Sequence, residues 1–231
     1  MDEKKFCFIM CANKERYERT CLRFIDALEI PAGYKVETRV VHGALSMTQG
    51  YNQAMEESDA KYKIYLHQDS FVTERTFLTR LLDIFSDETI GMIGLVGSPI
   101  MPEDAVMWHN ERVGANYECN ILFTNKCFYQ TAEKPYTPVQ AIDGFLMATQ
   151  TDISWREDIF TGWDFYDVSQ SYEFRRAGYQ VVVPYMERPW CMHDCGVINL
   201  ENYYSWRDVF VQEYMGDLTG SQMEEKGDDI G

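Results

Sequence analysis

The sequence predicts a single α/β domain with a mostly parallel central sheet flanked by helices. Three observations carry that expectation. Apolar runs of strand length alternate with segments of helical period from the N-terminus onward, the pattern of a sheet covered by crossover helices. The 231 residues suffice for one substantial core and suit one large domain better than two small ones. No internal repeat or low-complexity linker divides the chain, so one domain is expected over residues 1–219, followed by an acidic tail over 220–231.

Residues 6–10 form a short apolar run with the length of a buried strand, and Asn13 is a fitting N-cap for a helix over 14–28 whose apolar positions include Tyr17, Leu22, Phe24 and Ile25. Residues 34–41 alternate in strand fashion, Ser46 caps a helix over 46–57, and 61–66 is a third strand ending at His67-Gln68-Asp69. A helix over 76–85 and a strand over 90–96 extend the alternation. Residues 99–136 are polar and aromatic with weak periodicity, and a long excursion of this kind usually serves as a lid or substrate wall. A strand over 139–149, interrupted by Asp143-Gly144, a helix over 164–177, a strand over 180–183 and a closing helix over 200–214 complete the order. Residues 220–231 have little apolar content beyond Met223 and Ile230, so disorder is expected there.

The formal net charge of -16, from 37 acidic against 21 basic residues, argues against a nucleic-acid partner, which would need Lys and Arg to neutralise phosphates. An acidic chain must instead hold an anionic substrate locally, through a metal or a few placed donors. No apolar stretch approaches the roughly 20 residues of a membrane-spanning helix, and Lys4 and Lys5 precede too short an apolar segment for a secretory signal. Seven cysteines form an odd set without disulfide-framework spacing. Reduced thiols and a cytoplasmic location are expected.

Side chains two apart on a strand share a face, so His67 and Asp69 point to one side at the C-terminal edge of the third strand, where open α/β sheets bind ligands. A carboxylate and an imidazole there suit a divalent cation, with the imidazole favouring Mn²⁺ over Mg²⁺; the alternative is a capped turn with a packed histidine. Asp164 and Asp167 fall in the first turn of the helix over 164–177, where acidic side chains cap free amides. Capping explains one of them; Gly162 and Trp163 beside them favour a sugar site, because a Trp face stacks on a sugar ring. Asp143 in an apolar strand is costly unless it lines a site, and Gly144 permits close backbone approach. His193 lies in Cys191-Met192-His193-Asp194-Cys195, whose spacing does not match a paired-cysteine zinc knuckle and lacks an evident fourth ligand.

Taken in order, these motifs resemble nucleotide-sugar glycosyltransferases of the GT-A, Rossmann-like fold, close to the family-2 group and its small bacterial relatives. The resemblance covers roughly residues 5–195. A first strand and nucleotide-contacting loop ends at Asn13, Gly50-Tyr51-Asn52 matches a Gly-x-Asn element, and His67-Gln68-Asp69 stands where the family has Asp-x-Asp. Asp143-Gly144 resembles the acceptor-side strand. Gly162, Trp163 and Asp167, with Arg175, Arg176, Gly178 and Tyr179, match a Gly-Trp-Gly-Gly-Glu-Asp segment and its Arg-Arg-x-Gly-Tyr ending. The departures are His67 for the first Asp, Tyr166 for the Glu, and no base-gripping acid in Val40-Val41-His42-Gly43.

The resemblance implies a metal-dependent inverting glycosyltransferase of hexosyltransferase type, acting in glycan or polysaccharide synthesis. It implies Asp167 as general base, Asn13, Asn52 and His67 as nucleotide contacts, and Asp143, Gly144 and Trp163 on the acceptor. Asp69 and His193 would hold Mn²⁺ or Mg²⁺, with a UDP-sugar as donor and a carbohydrate acceptor as the second partner. Asp164 is left as a helix cap. The competing readings are a catalytically inactive binding module of the same fold and a nucleotidyltransferase, the latter opposed by the absence of glycine from residues 8–15.

Overall fold

The structure is a computed structural model that describes residues 1–120, 124–197 and 199–224, with side chains to residue 214. The first half runs β1 (Asp2–Ala12), α1 (Glu15–Asp26), β2 (Lys35–His42), α2 (Met47–Glu56), β3 (Ala60–Leu66), β4 (Ser70–Val72), α3 (Phe77–Phe85), β5 (Ile90–Gly94) and β6 (Val96–Ser98). The second half runs β7 (Val113–Asn120), β8 (Thr124–Phe128), β9 (Tyr136–Pro138), β10 (Ala141–Ile142), β11 (Leu146–Thr149), α4 (Tyr166–Arg176), β12 (Gln180–Pro184), β13 (Cys191–Gly196) and α5 (Tyr203–Glu224).

The apolar runs become the middle of a seven-stranded sheet in the order β2-β1-β3-β11-β5-β12-β9. Phe6, Phe8, Ile64, Leu66, Ile93, Leu146 and Val182 are fully buried in it, so both faces are covered as the near-continuous apolar strands require. The sheet is mixed rather than mostly parallel. β1 pairs parallel with β2 and β3, and β12 parallel with β5, but β11 runs against both β3 and β5 and β9 against β12. β11 enters from a neighbouring sheet through a tight turn and not through a crossover helix, so it need not run parallel.

That neighbouring sheet has the order β10-β6-β7-β13-β4, with β8 added to β7, and much of the expected excursion over 99–136 belongs to it. The single strand expected over 139–149 is two strands, one in each sheet, separated at Asp143-Gly144-Phe145. The strand expected over 90–96 divides in the same way into β5 and β6. The two sheets therefore part at two neighbouring points, since the Asp143 amide donates to the Val96 carbonyl at 2.9 Å.

Ser46 caps α2 as expected, accepting from the Gln49 amide. Asn13 does not cap α1: the helix starts after Lys14 without a side-chain cap, and Gln68 Oε1 accepts the Asn13 and Lys14 amides instead. Helix α5 packs its Tyr203, Phe210 and Tyr214 against Phe165 and Tyr172 of the α4 region, a second apolar cluster beside the main core. The segment expected as a tail is helical to Glu224, and residues 225–231 lie outside the described residues. No described helix is long and apolar enough to cross a membrane.

Candidate active site

β3 ends at His67, whose amide donates to the Phe145 carbonyl at 3.1 Å, and the chain turns through Gln68-Asp69 into β4. β13 lies antiparallel to β4 with His193 opposite Ser70, and the Asp194 amide donates to the Asp69 carbonyl at 2.9 Å. This pairing brings together side chains remote in sequence. His67 Nδ1 stands 3.3 Å from His193 Nε2 and 3.9 Å from Asp69 Oδ1, and His193 Nε2 is 3.6 Å from Asp69 Oδ1. The Phe145 ring stacks on His193 at 5.3 Å and 15° and fixes its plane.

One ligand atom from each of His67, Asp69 and His193 lies within 4.8 Å of the other two, and among the described residues this is the one such group of His, Cys, Asp or Glu. Asp69 Oδ1 is buried and has no hydrogen-bond partner in the protein. An unsatisfied buried acceptor of this kind costs about 1–3 kcal/mol, so its retention beside two imidazoles fits a cation ligand. Two imidazoles and one carboxylate suit Mn²⁺ better than Mg²⁺. Cys191 and Cys195 take no part: their thiols donate to the backbone carbonyls of Met192 and Cys119.

Burial pushes the His67 imidazole down to about 4, helped by the nearby His193 charge. Burial also opposes the charge on His193, but the Asp69 carboxylate overcomes it and raises His193 above the usual imidazole value. The same contacts outweigh burial at Asp69 and hold its carboxyl below the usual range. The group thus combines a neutral imidazole with a carboxylate, both forms that coordinate metal.

Across the cleft, Phe165 in the left-handed region (φ 60) turns the chain into α4, and Asp167 falls in the first helical turn. Its Oδ1 accepts the Val168 amide and its Oδ2 the Gly144 amide, each at 2.8 Å. Burial, then the Asp143 carboxylate, push Asp167 up to about 7 despite those amides. Gly144 is required here, because a Cβ would stand 2.8 Å from the Asp167 Cβ and would collide with the Tyr166 hydroxyl. Asp164 precedes the helix and makes no cap; its carboxyl faces the cleft, and burial raises its pKa.

The cleft has two compartments. One, of about 440 Å³, is lined by Ala12, Asn13, Gly43, Gln68 and Asp69. The other, of about 610 Å³, is lined by Asp143, Asp164, Asp167, His193, Trp108 and Tyr203. His67 and Trp163 line both and mark their junction. Trp163 is 49% exposed, and Gly162 before it lets the chain lie against Trp206, with whose ring a Cβ would collide. The Thr48 hydroxyl and Met47 amide at the start of α2 hold this segment through the Phe160 and Gly162 carbonyls.

Of the expected site residues, Asn13, His67, Asp69, Asp143, Trp163, Asp167 and His193 line the cleft, and Gly144 lies directly beneath Asp167. Asn52 does not. Its amide is buried in α2 and bonds both the amide and carbonyl of Trp155. Sequence reasoning missed Gln68, which also donates to Asn13 Oδ1 at 2.8 Å, and Asn116 in the larger compartment, whose buried Oδ1 has no partner. It also missed Tyr166, whose hydroxyl bonds His67 Nε2. The only signal for Tyr166 was its departure from the family pattern.

The model of the glycosyltransferase-like family matches residues 7–214. No curated protein matches the sequence. Among solved structures, a mannosyltransferase from Pyrobaculum calidifontis, PcManGT, in complex with GDP-Man and Mn²⁺, is similar at 12% identity and a TM-score of 0.56, over 94% of this chain and 64% of that one. S. aureus TarS 1-349 in complex with UDP is similar at 10% identity and a TM-score of 0.59, over 92% of this chain and 65% of that one. The chain thus spans less than two thirds of the length of these structures. Together with the mixed sheet flanked by helices, these findings show a GT-A fold, and the chain belongs to the glycosyltransferase-like family.

Proposed function

We propose that the chain is a metal-dependent inverting hexosyltransferase, moving a sugar from a nucleotide-sugar donor, a UDP-sugar in the first instance, to a carbohydrate hydroxyl in glycan or polysaccharide synthesis. The observation that carries this reading is the junction of the two compartments at His67 and Trp163, where Asp69 lines the smaller compartment, His193 and Asp167 line the larger, and the His67-Asp69-His193 group bridges the two. The neighbouring structures with GDP-Man and Mn²⁺ and with UDP support the choice of ligand class. The seven free cysteines suit a reducing cytoplasm.

Asp69, His193 and His67 would hold Mn²⁺ or Mg²⁺. When bound, the cation supplies Lewis-acid stabilisation of the departing diphosphate. Asn13 contacts the nucleotide at the edge of the smaller compartment, and Trp163 offers its exposed face to a sugar ring. Asp143 orients the acceptor.

Asp167 is the general base. Each of its oxygens holds one backbone amide and keeps a further acceptor position for a hydroxyl. The acceptor proton passes to this carboxylate while the acceptor oxygen bonds the anomeric carbon from the face opposite the leaving group. The bond from that carbon to the diphosphate oxygen breaks, and its electron pair leaves with the nucleoside diphosphate. A base with a pKa near 7 is half ionised at neutral pH, close to the optimum for this transfer.

Thermal shift with UDP-, GDP- and dTDP-sugars, with and without Mn²⁺, tests the reading. Stabilisation by one nucleotide class that requires Mn²⁺ is the expected result, followed by an inverted anomeric signal in the product. No shift with any nucleotide sugar would replace the enzyme with a binding module of the same fold.

A further inference from the structure

Two of the three departures from the family pattern, His67 and Tyr166, are 99 residues apart and bonded to each other: His67 Nε2 pairs with the Tyr166 hydroxyl. The side chain that carries this hydroxyl is enclosed. Tyr166 is 4% exposed, and its ring packs edge-on against Tyr51 at 5.9 Å and tilted against Trp155 at 6.2 Å. Gly144 leaves the space the hydroxyl occupies, since any side chain there would collide with it.

The other imidazole nitrogen, Nδ1, is the one that faces His193 and Asp69. A neutral imidazole carries its proton on one nitrogen and a lone pair on the other, and the partner of the protonated nitrogen decides which is which. Metal-ligating histidines are oriented in this way by an acceptor for their second nitrogen.

We infer that Tyr166 is a positioning residue for the cation site: by accepting the His67 Nε2 proton, it holds the tautomer whose Nδ1 lone pair joins Asp69 and His193 as third ligand. The inference rests on the metal reading above. The two departures are then one exchange, in which a neutral Tyr-His pair stands where the pattern has two carboxylates. The exchange leaves Asp69 as the only anionic ligand of the three, and two imidazoles beside it select Mn²⁺ over Mg²⁺.

Two measurements test this. Long-range ¹H–¹⁵N NMR of the wild-type chain without metal at neutral pH should find His67 protonated at Nε2 alone; a ring protonated at Nδ1, or at both nitrogens, overturns the inference. Calorimetric titration of MnCl₂ in the presence of UDP should show that Tyr166→Phe, which keeps the ring and its packing, binds Mn²⁺ about 10–100-fold more weakly than wild type at an unchanged melting temperature. Equal affinity in the two proteins would assign Tyr166 to packing alone and leave the metal reading standing. No Mn²⁺ binding by wild type would remove the metal reading and the inference together.

Discussion

Asp167 Oδ2 accepts the Gly144 amide at 2.8 Å, so the base of α4 is tied to the turn at which the two sheets part. The same bond draws Asp167 toward Asp143, whose charge adds to burial in pushing the carboxyl up to about 7. The amide that positions this carboxylate lowers its pKa, and burial with the Asp143 charge outweighs it.

The pH dependence of turnover follows. A base must be ionised, so kcat/KM should rise with pH through about 7 and level off above it. An acidic limb near the ordinary carboxylate value would separate the activity from Asp167.

Stability should show the opposite slope. Because folding raises this carboxyl above its unfolded value of 3.8, the folded chain keeps a proton that the unfolded chain releases. The resulting stabilisation is complete below the unfolded value and is lost as pH rises to about 7. Asp167→Asn lacks that loss, so its melting temperature relative to wild type should climb between about pH 4 and about pH 7 in scanning calorimetry.

Gly144→Ala places a methyl group against Asp167 and the Tyr166 hydroxyl. Overpacking of this kind costs about 1–3 kcal/mol, readable as a lower urea midpoint at unchanged slope. Wild-type stability would mean that the turn relaxes freely.

Trp163→Ala should leave the fold intact, because the side chain is 49% exposed. Loss of a stacking face worth about 1 kcal/mol predicts a several-fold rise in the KM of the sugar proposed to stack there, with kcat little changed. A fall in kcat at constant KM would place Trp163 elsewhere in the reaction.

The elements from β1 to β3 were legible because β1 and β3 contain buried apolar runs and β2 alternates in strand fashion between them in the sequence. The second sheet was not. β4 has three residues, β8 is largely exposed, and β13 is a half-buried Cys, Met, His and Asp segment without alternation; each is specified by partners far away in the chain. The site inherits that division. Asp69 and Asp167 carried their own local signals, whereas the meeting of His67 with His193 depends on β13 returning alongside β4. Asn52 sat in a recognisable motif, yet its amide serves the Trp155 backbone, a contact 103 residues away that no local pattern encodes.

The proposed role of Asp167 as general base is decided by its own substitution. Using the nucleotide sugar that gives the largest Mn²⁺-dependent thermal shift, turnover by Asp167→Asn is compared with wild type after circular dichroism has confirmed the fold. A rate lower by about 100-fold or more, with nucleotide binding retained, is the expected result. Transfer at a near wild-type rate by the folded variant would contradict that role.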